Sequence, residues 1–155
     1  MPDRETTRLI AWSTELRRVH ARLRDALAAA RSEADADAGG DAARELLLYC
    51  RGFCVALGEH HRGEDRSLFP AIEASHPELV PVLRALAQDH SMIDHLLTAL
   101  DAAVDATASP AELARHLDGI GAIMESHFAY EERQLIEVLD ALALDADPAA
   151  VLGGL

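Results

Sequence analysis

Apolar residues recur along this chain at intervals of three and four, the period of a helix with one buried face. Four stretches carry the pattern. The first runs from about residue 6 to about 36, with Leu9, Leu16, Leu23 and Leu27 on one side. Gly39-Gly40 closes it, because glycine accepts the left-handed cap of a helix end. The second runs from about 41 to about 69 and carries Leu46, Phe53, Leu57 and Leu68; Pro70 and the turn Ser75-His76-Pro77 end it. The third runs from about 78 to about 104, with Leu79, Leu83, Leu86, Ile93, Leu97 and Leu100. The fourth opens at Ser109-Pro110-Ala111-Glu112, a capping box with proline at the first helical position. It continues through Leu113, Ile120, Met124, Leu135 and Val138 to about 142. Residues 145–155 read as a flexible, loosely docked tail.

Strand signals are weak, since Ala, Leu, Arg, Glu and Asp dominate and β-branched runs are absent. Four long amphipathic helices with short connections predict an all-α, antiparallel up-down-up-down four-helix bundle. A single domain over 1–155, with its core at about 6–144, fits this length. No sequence repeat is visible.

Composition narrows the function. A formal charge of -13 argues against nucleic acid and anionic membrane surfaces, which repel an acidic protein. All 14 basic residues are arginine, so Schiff-base chemistry and a phosphate-loop lysine are excluded. Cys50 and Cys54 lie one helical turn apart in an apolar stretch and read as reduced core thiols. The polar start Pro2-Asp3-Arg4-Glu5 and the lack of any apolar run near ~18 residues point to a cytoplasmic protein.

The histidines change the picture. At ~100° per residue, with His60 at zero, Phe53, Glu64, Leu57 and Leu68 fall between roughly 20° and 80°. Arg51, Arg62 and Arg66 fall on the opposite side. His60 and Glu64 therefore sit inside the apolar stripe. The fourth helix repeats this with His127, Glu131, Ile120 and Met124, while Arg133 points away. His20 shares the face of Leu16 and Leu27, and His90 that of Leu83, Leu86 and Leu97. His20 lies 19 residues before Gly39, and His60 lies 20 after Gly40. His90 lies 18 before Ala108, and His127 lies 18 after Ser109. In an antiparallel bundle, at ~1.5 Å of rise per residue, such equal distances bring all four histidines to one level.

A single histidine on an apolar face is usually a hydrogen-bonded core residue. Four at one level, with two carboxylates that are costly to bury unpaired, point to a metal site. Imidazole with carboxylate suits iron, zinc, manganese or copper and does not suit calcium or magnesium. Six or seven candidate ligands exceed one tetrahedral zinc, so two ions bridged by carboxylates, and hence non-haem di-iron, use them better. The Glu-x-x-His spacing of ferritin-like di-iron proteins occurs here once, as Glu73 and His76 in a turn.

The motif carried here is His-x-x-x-Glu, twice. With His20, His60-x-x-x-Glu64 followed by Asp65-Arg66-Ser67-Leu68-Phe69-Pro70, His90, and His127-x-x-x-Glu131-Glu132, the chain resembles the hemerythrin-like proteins with an HHE cation-binding domain. The resemblance spans about residues 10–142. It implies two iron ions with oxo or hydroxo and carboxylate bridges. Glu64 and Glu131 would be the bridges; His20, His60, His90 and His127 would be terminal ligands. The oxygen carriers of that family have His-x-x-x-His on the third helix, whereas here the second position is Asp94, and His95 points outward. One iron thus loses an imidazole and gains a carboxylate or water, which disfavours simple reversible oxygen carriage.

Asp94 is therefore a further candidate ligand. His61, at the rim of the stripe near roughly 100°, is a candidate ligand or an orienting neighbour. His116 lies three turns from His127, too far to join it; His76 reads as a turn residue and Tyr130 as core. The expected function is a di-iron protein that binds or reacts with oxygen, hydrogen peroxide or nitric oxide, with peroxide disproportionation as its enzymatic form. The rival is a non-enzymatic iron, oxygen or redox sensor or an iron-binding module. A metal-free interaction bundle is the third reading.

Overall fold

A computed structural model describes residues 10–35 and 41–153. Its first long helix, α1, is Trp12–Asp35; the second, α2, is Asp41–Gly63. One π-helical turn, Glu64–Leu68, joins α2 to α3, Phe69–Ser75. A 3-10 turn, Pro77–Leu79, leads into α4, Val80–Asp105, and then come α5, Pro110–Ala141, and the short α6, Pro148–Leu152. The four long helices form the expected bundle, each packed on two neighbours around the order α1, α2, α4, α5. No strand occurs among the described residues.

The apolar stripes make one continuous core. Leu16, Leu23, Phe53, Leu57, Leu86, Ile93, Leu100, Ile120, Met124 and Leu135 are all essentially removed from water. Burying a side chain of this size stabilises the fold by roughly 1.5–3 kcal/mol before chain entropy is set against it. The start of α5 follows its capping box: Ser109 Oγ accepts a hydrogen bond from the Glu112 N–H at 3.2 Å, and Pro110 takes the first turn. Cys50 and Cys54 are free thiols in and beside the core, and burial pushes them up to about 11 and about 12.

Three expectations need correction. First, α1 begins at Trp12, with Ile10 and Ala11 outside the helix; Leu9 and the Gly39-Gly40 stop lie outside the described residues. Trp12 is anchored by its Nε1–H, which donates to the Leu144 carbonyl at 3.0 Å, and Ser13 donates to Asp140.

Second, Pro70 does not end the second helix. An α-helical proline clashes with the carbonyl four residues back. Here the turn before it is widened, with the Phe69 N–H bonded to the Glu64 carbonyl, and the chain continues as helix to Ser75.

Third, the tail is docked over its described length. Asp147 caps α6 by accepting from the Ala149 N–H at 3.2 Å, and Val151 and Leu152 are buried. Gly153 follows with a positive φ of 97°, a conformation that favours glycine.

Candidate metal centre

His20, His60, His61, Glu64, His90, His127 and Glu131 are all buried, at 4% relative exposure or less, and they converge in the bundle interior. Their donor atoms fall into two groups, in each of which every atom lies within 4.8 Å of the others. One group is His20, His60, Glu64 and Glu131. The other is His61, His90, His127 and Glu64. Glu64 belongs to both: its Oε1 lies 3.4 Å from His60 Nε2 and 3.3 Å from His90 Nε2. Glu131 also faces both ways, with Oε1 3.0 Å from His20 Nε2 and Oε2 3.8 Å from His127 Nε2.

Hydrogen bonds outside the cluster fix the tautomers. His20 Nδ1 donates to Glu132 at 3.1 Å, His90 Nδ1 to Asp65 at 2.8 Å, and His127 Nδ1 to Asp89 at 3.0 Å. His60 Nδ1 donates to the Leu152 carbonyl at 2.8 Å. A carboxylate or carbonyl oxygen brings no proton, so each Nδ1 carries one. In the neutral ring, Nε2 then presents a lone pair to the centre. His90 Nε2 and His127 Nε2 stand 3.1 Å apart in this way, two acceptors face to face. His20 Nε2, His60 Nε2, His61 Nε2 and all four carboxylate oxygens of Glu64 and Glu131 are buried without a hydrogen-bond partner. His20 Nε2 and Glu131 Oε1 approach to 3.0 Å as a buried ion pair that forms when the ring is protonated, and with the ring neutral both atoms are left without a donor.

Each such orphan costs ~1–3 kcal/mol. Cations would resolve all of them together. Two donors that each lie ~2.0–2.2 Å from one ion stand roughly 3–3.5 Å apart, close to the spacings found. The donor set therefore fits a pair of metal ions.

Electrostatics agree. Burial, and then the neighbouring Glu131, hold the Glu64 carboxyl well above its ordinary range. Burial alone would lower His20, but Glu131 and Glu132 on either side raise it. Burial and then the positive charge of His20 push His60 down to about 3; His61 and His127 are lowered too, chiefly by burial. The pocket thus resists protons on three imidazoles while gathering carboxylates, the balance a cation site requires.

A family model, described as the hemerythrin HHE cation binding domain, matches residues 13–139. The chain belongs to that family. Neither a curated protein nor a solved structure matches it. A hemerythrin HHE domain binds metal cations, typically iron, and the two donor groups here could each hold one.

Among the sequence candidates, His20, His60, Glu64, His90, His127 and Glu131 come together. His61 joins them instead of lying at the rim. Asp94 does not: it is exposed and stands outside both groups. It lines a cavity of about 210 Å³ whose walls also include His61, His90, Asp65 and Arg62. The bundle turns Asp94 along the outer edge of α4, so His61 from α2 takes the inward place.

His95 is exposed, and His76 pairs with Glu78 at 3.0 Å in its turn. His116 lies outside both groups. Tyr130 packs at the core edge under Arg133.

The orienting roles of Asp65, Asp89, Glu132 and the Leu152 carbonyl were not visible in the sequence. Asp65 and Glu132 had one signal: each directly follows a buried glutamate of a His-x-x-x-Glu motif, and each serves a histidine on another helix.

Among the described residues no helix is long and apolar enough to cross a membrane.

Proposed function

We propose that this chain is a non-haem di-iron protein that binds or reacts with oxygen, hydrogen peroxide or nitric oxide. His20 and His60 would hold one ion and His61, His90 and His127 the other, with Glu64 and Glu131, whose oxygens face both sets, serving the two. The observation that carries this reading is the set of unpartnered buried Nε2 and carboxylate oxygen atoms, shared between two groups through Glu64. When bound, an iron pair supplies adjacent redox-active Lewis acids for a diatomic molecule or a peroxide.

The chain's own residues do the rest. Asp65, Asp89, Glu132 and the Leu152 carbonyl keep the proton on the outer nitrogen of His90, His127, His20 and His60, so the inner nitrogen of each of these four stays free to coordinate. Leu57, Leu68, Phe128, Met124 and Ile93 seal the surroundings from water. The cavity beside His61 and His90 opens that half of the centre to small solutes, and its wall carries charged Arg62, Asp65 and Asp94. A polar wall suits hydrogen peroxide better than an apolar gas, which supports peroxide disproportionation as the enzymatic form.

Metal quantification with an absorption spectrum, before and after peroxide, tests the reading. About two irons per chain, oxo-bridged diferric bands and oxygen release are expected. Two irons without oxygen release would make the protein a sensor or store, and less than about one iron per chain would overturn the di-iron reading.

A further inference from the structure

The two hairpins of the bundle, α1–α2 and α4–α5, present their donors in matching order although no sequence repeat is visible. His20 corresponds to His90, His60 to His127, and Glu64 to Glu131. The outer partners correspond too. Asp65 follows Glu64 and serves His90; Glu132 follows Glu131 and serves His20. Asp89, directly before His90, serves His127. The residue directly before His20, which by this correspondence would serve His60, is Val19. A valine accepts no hydrogen bond. His60 Nδ1 instead reaches the main-chain carbonyl of Leu152, at 2.8 Å in a fully buried contact.

We infer that the segment 144–153 is a working part of the metal centre: the Leu152 carbonyl replaces the carboxylate that Val19 lacks and orients His60 for coordination. This rests on the dinuclear reading above and extends it to a segment that lies beyond the family match, which ends at 139.

The segment is fitted to this task at several points. The Trp12 indole holds its start through the Leu144 carbonyl. Val151 and Leu152 are buried against the bundle. At Gly63 an added Cβ would run into the Val151 carbonyl, so the absence of a side chain there is what lets α6 lie against α2. Gly153 passes over His60 itself, where a Cβ would stand 3.3 Å from the His60 Cα. Gly63 has ordinary helical dihedrals, so alanine there suits the helix and offends only α6.

The test uses the full chain and anaerobic ferrous iron, titrated against a competing chelator and followed beside circular dichroism. Gly63→Ala and Val151→Asp should each keep the helical spectrum and weaken one of two ions by about 10–100-fold, the usual effect of losing an outer partner. Combined, they should weaken it no further, because both act by lifting α6. Val19→Asp added to Gly63→Ala should recover at least about tenfold, by giving His60 the carboxylate that Asp89 gives His127.

Unaltered affinity for both ions in the two single variants would overturn the inference. So would losses that add in the double variant, or no recovery from Val19→Asp, either of which would trace the effect to strain at Glu64. If the unaltered chain takes up no iron, the dinuclear reading itself falls.

Discussion

His61 and Phe128 occupy corresponding places in the two halves of the bundle, each directly after a coordinating-type histidine and each lying flat on another. The His61 ring stacks on His90 with centroids 4.0 Å apart and planes at 12°. Phe128 stacks on His20 at 3.7 Å and 6°. The shape is conserved across the pseudo-two-fold, but only one of the pair brings a nitrogen donor. His61→Phe should therefore keep the packing and remove one donor from the group containing His90 and His127. Iron content should fall from two towards one per chain with little change in helical content. Asp94→Ala and His95→Ala, both on exposed residues, should leave iron content unchanged. Metal analysis of the purified variants checks all three, and full iron in His61→Phe would remove His61 from the ligand set.

Asp89 acts on the centre without belonging to either donor group. Its carboxylate fixes the proton on His127 Nδ1 at 3.0 Å and is itself partly exposed. Replacing it by alanine leaves the core volume almost untouched but frees the imidazole to rotate or to move its proton inward. Affinity for the ion that His127 would hold should drop by about 10–100-fold. Stability of the metal-free protein should change little, as for other partly exposed sites. Chelator competition and a thermal melt separate the two effects.

How much of this was legible beforehand depended on whether a position obeyed regular helical geometry. His20, His60, His90, His127, Glu64 and Glu131 are found together because they lie on unbroken apolar stripes, where spacing converts directly into direction and height. Asp65 was not assigned because an α-helical count from His60 places it roughly 140° away, whereas the widened turn that begins at Glu64 keeps it on His90. The same turn explains why Pro70 failed as a stop. His61 and Asp94 each sat near the edge of a stripe, and only the packing of α2 against α4 decides which faces inward. Leu152 acts through a backbone carbonyl, and side-chain patterns carry no information about that. Asp89 belongs to α4 but serves α5, so its role follows from the pairing of helices and not from its own face.

The centre weakens the fold that carries it. Glu64 buries two carboxyl oxygens that have no hydrogen-bond partner, and burial holds it well above its ordinary range, so the metal-free bundle bears it at a cost. Glu64→Met, close in volume and apolar, should raise the stability of the metal-free protein by ~1–3 kcal/mol, the cost of a buried polar group left without a partner. The same change should abolish uptake of at least one ion. In the unaltered chain, iron should more than offset the cost by mass action, about 2.7 kcal/mol when free metal is a hundredfold above its dissociation constant. Denaturant melts of both proteins, with and without metal, give the comparison. A Glu64→Met variant less stable than the metal-free original would show that the carboxylate is paired in a way the geometry does not contain.

Acid should act on the metal-free protein mainly through its histidines. His60, His61 and His127 are lowered below their ordinary value, His60 to about 3, because burial penalises the charged ring. In the unfolded chain these rings take up protons near pH ~6.5. Between that pH and their folded values the unfolded state binds more protons, so stability falls as pH falls, by about 1.4 kcal/mol per pH unit for each proton of difference. Glu64 and His20 are raised and work the other way, since the folded state holds their protons more tightly. They favour the fold at low pH and lose that contribution as pH rises through their folded values. Glu131 joins the lowered groups: burial raises it, but the His20 ring beside it brings it down to about 2, so it adds to the loss below its ordinary value. Four lowered groups against two raised ones in the cluster should leave a net loss of stability below about pH 6.5. Bound metal should hold the melting temperature level until protons compete the imidazoles away, then release it in a steeper step. Melting temperature against pH, for chelator-treated and iron-loaded protein, checks the sign; a metal-free protein that grows more stable on acidification from pH 6.5 would contradict the buried, neutral histidines on which the centre depends.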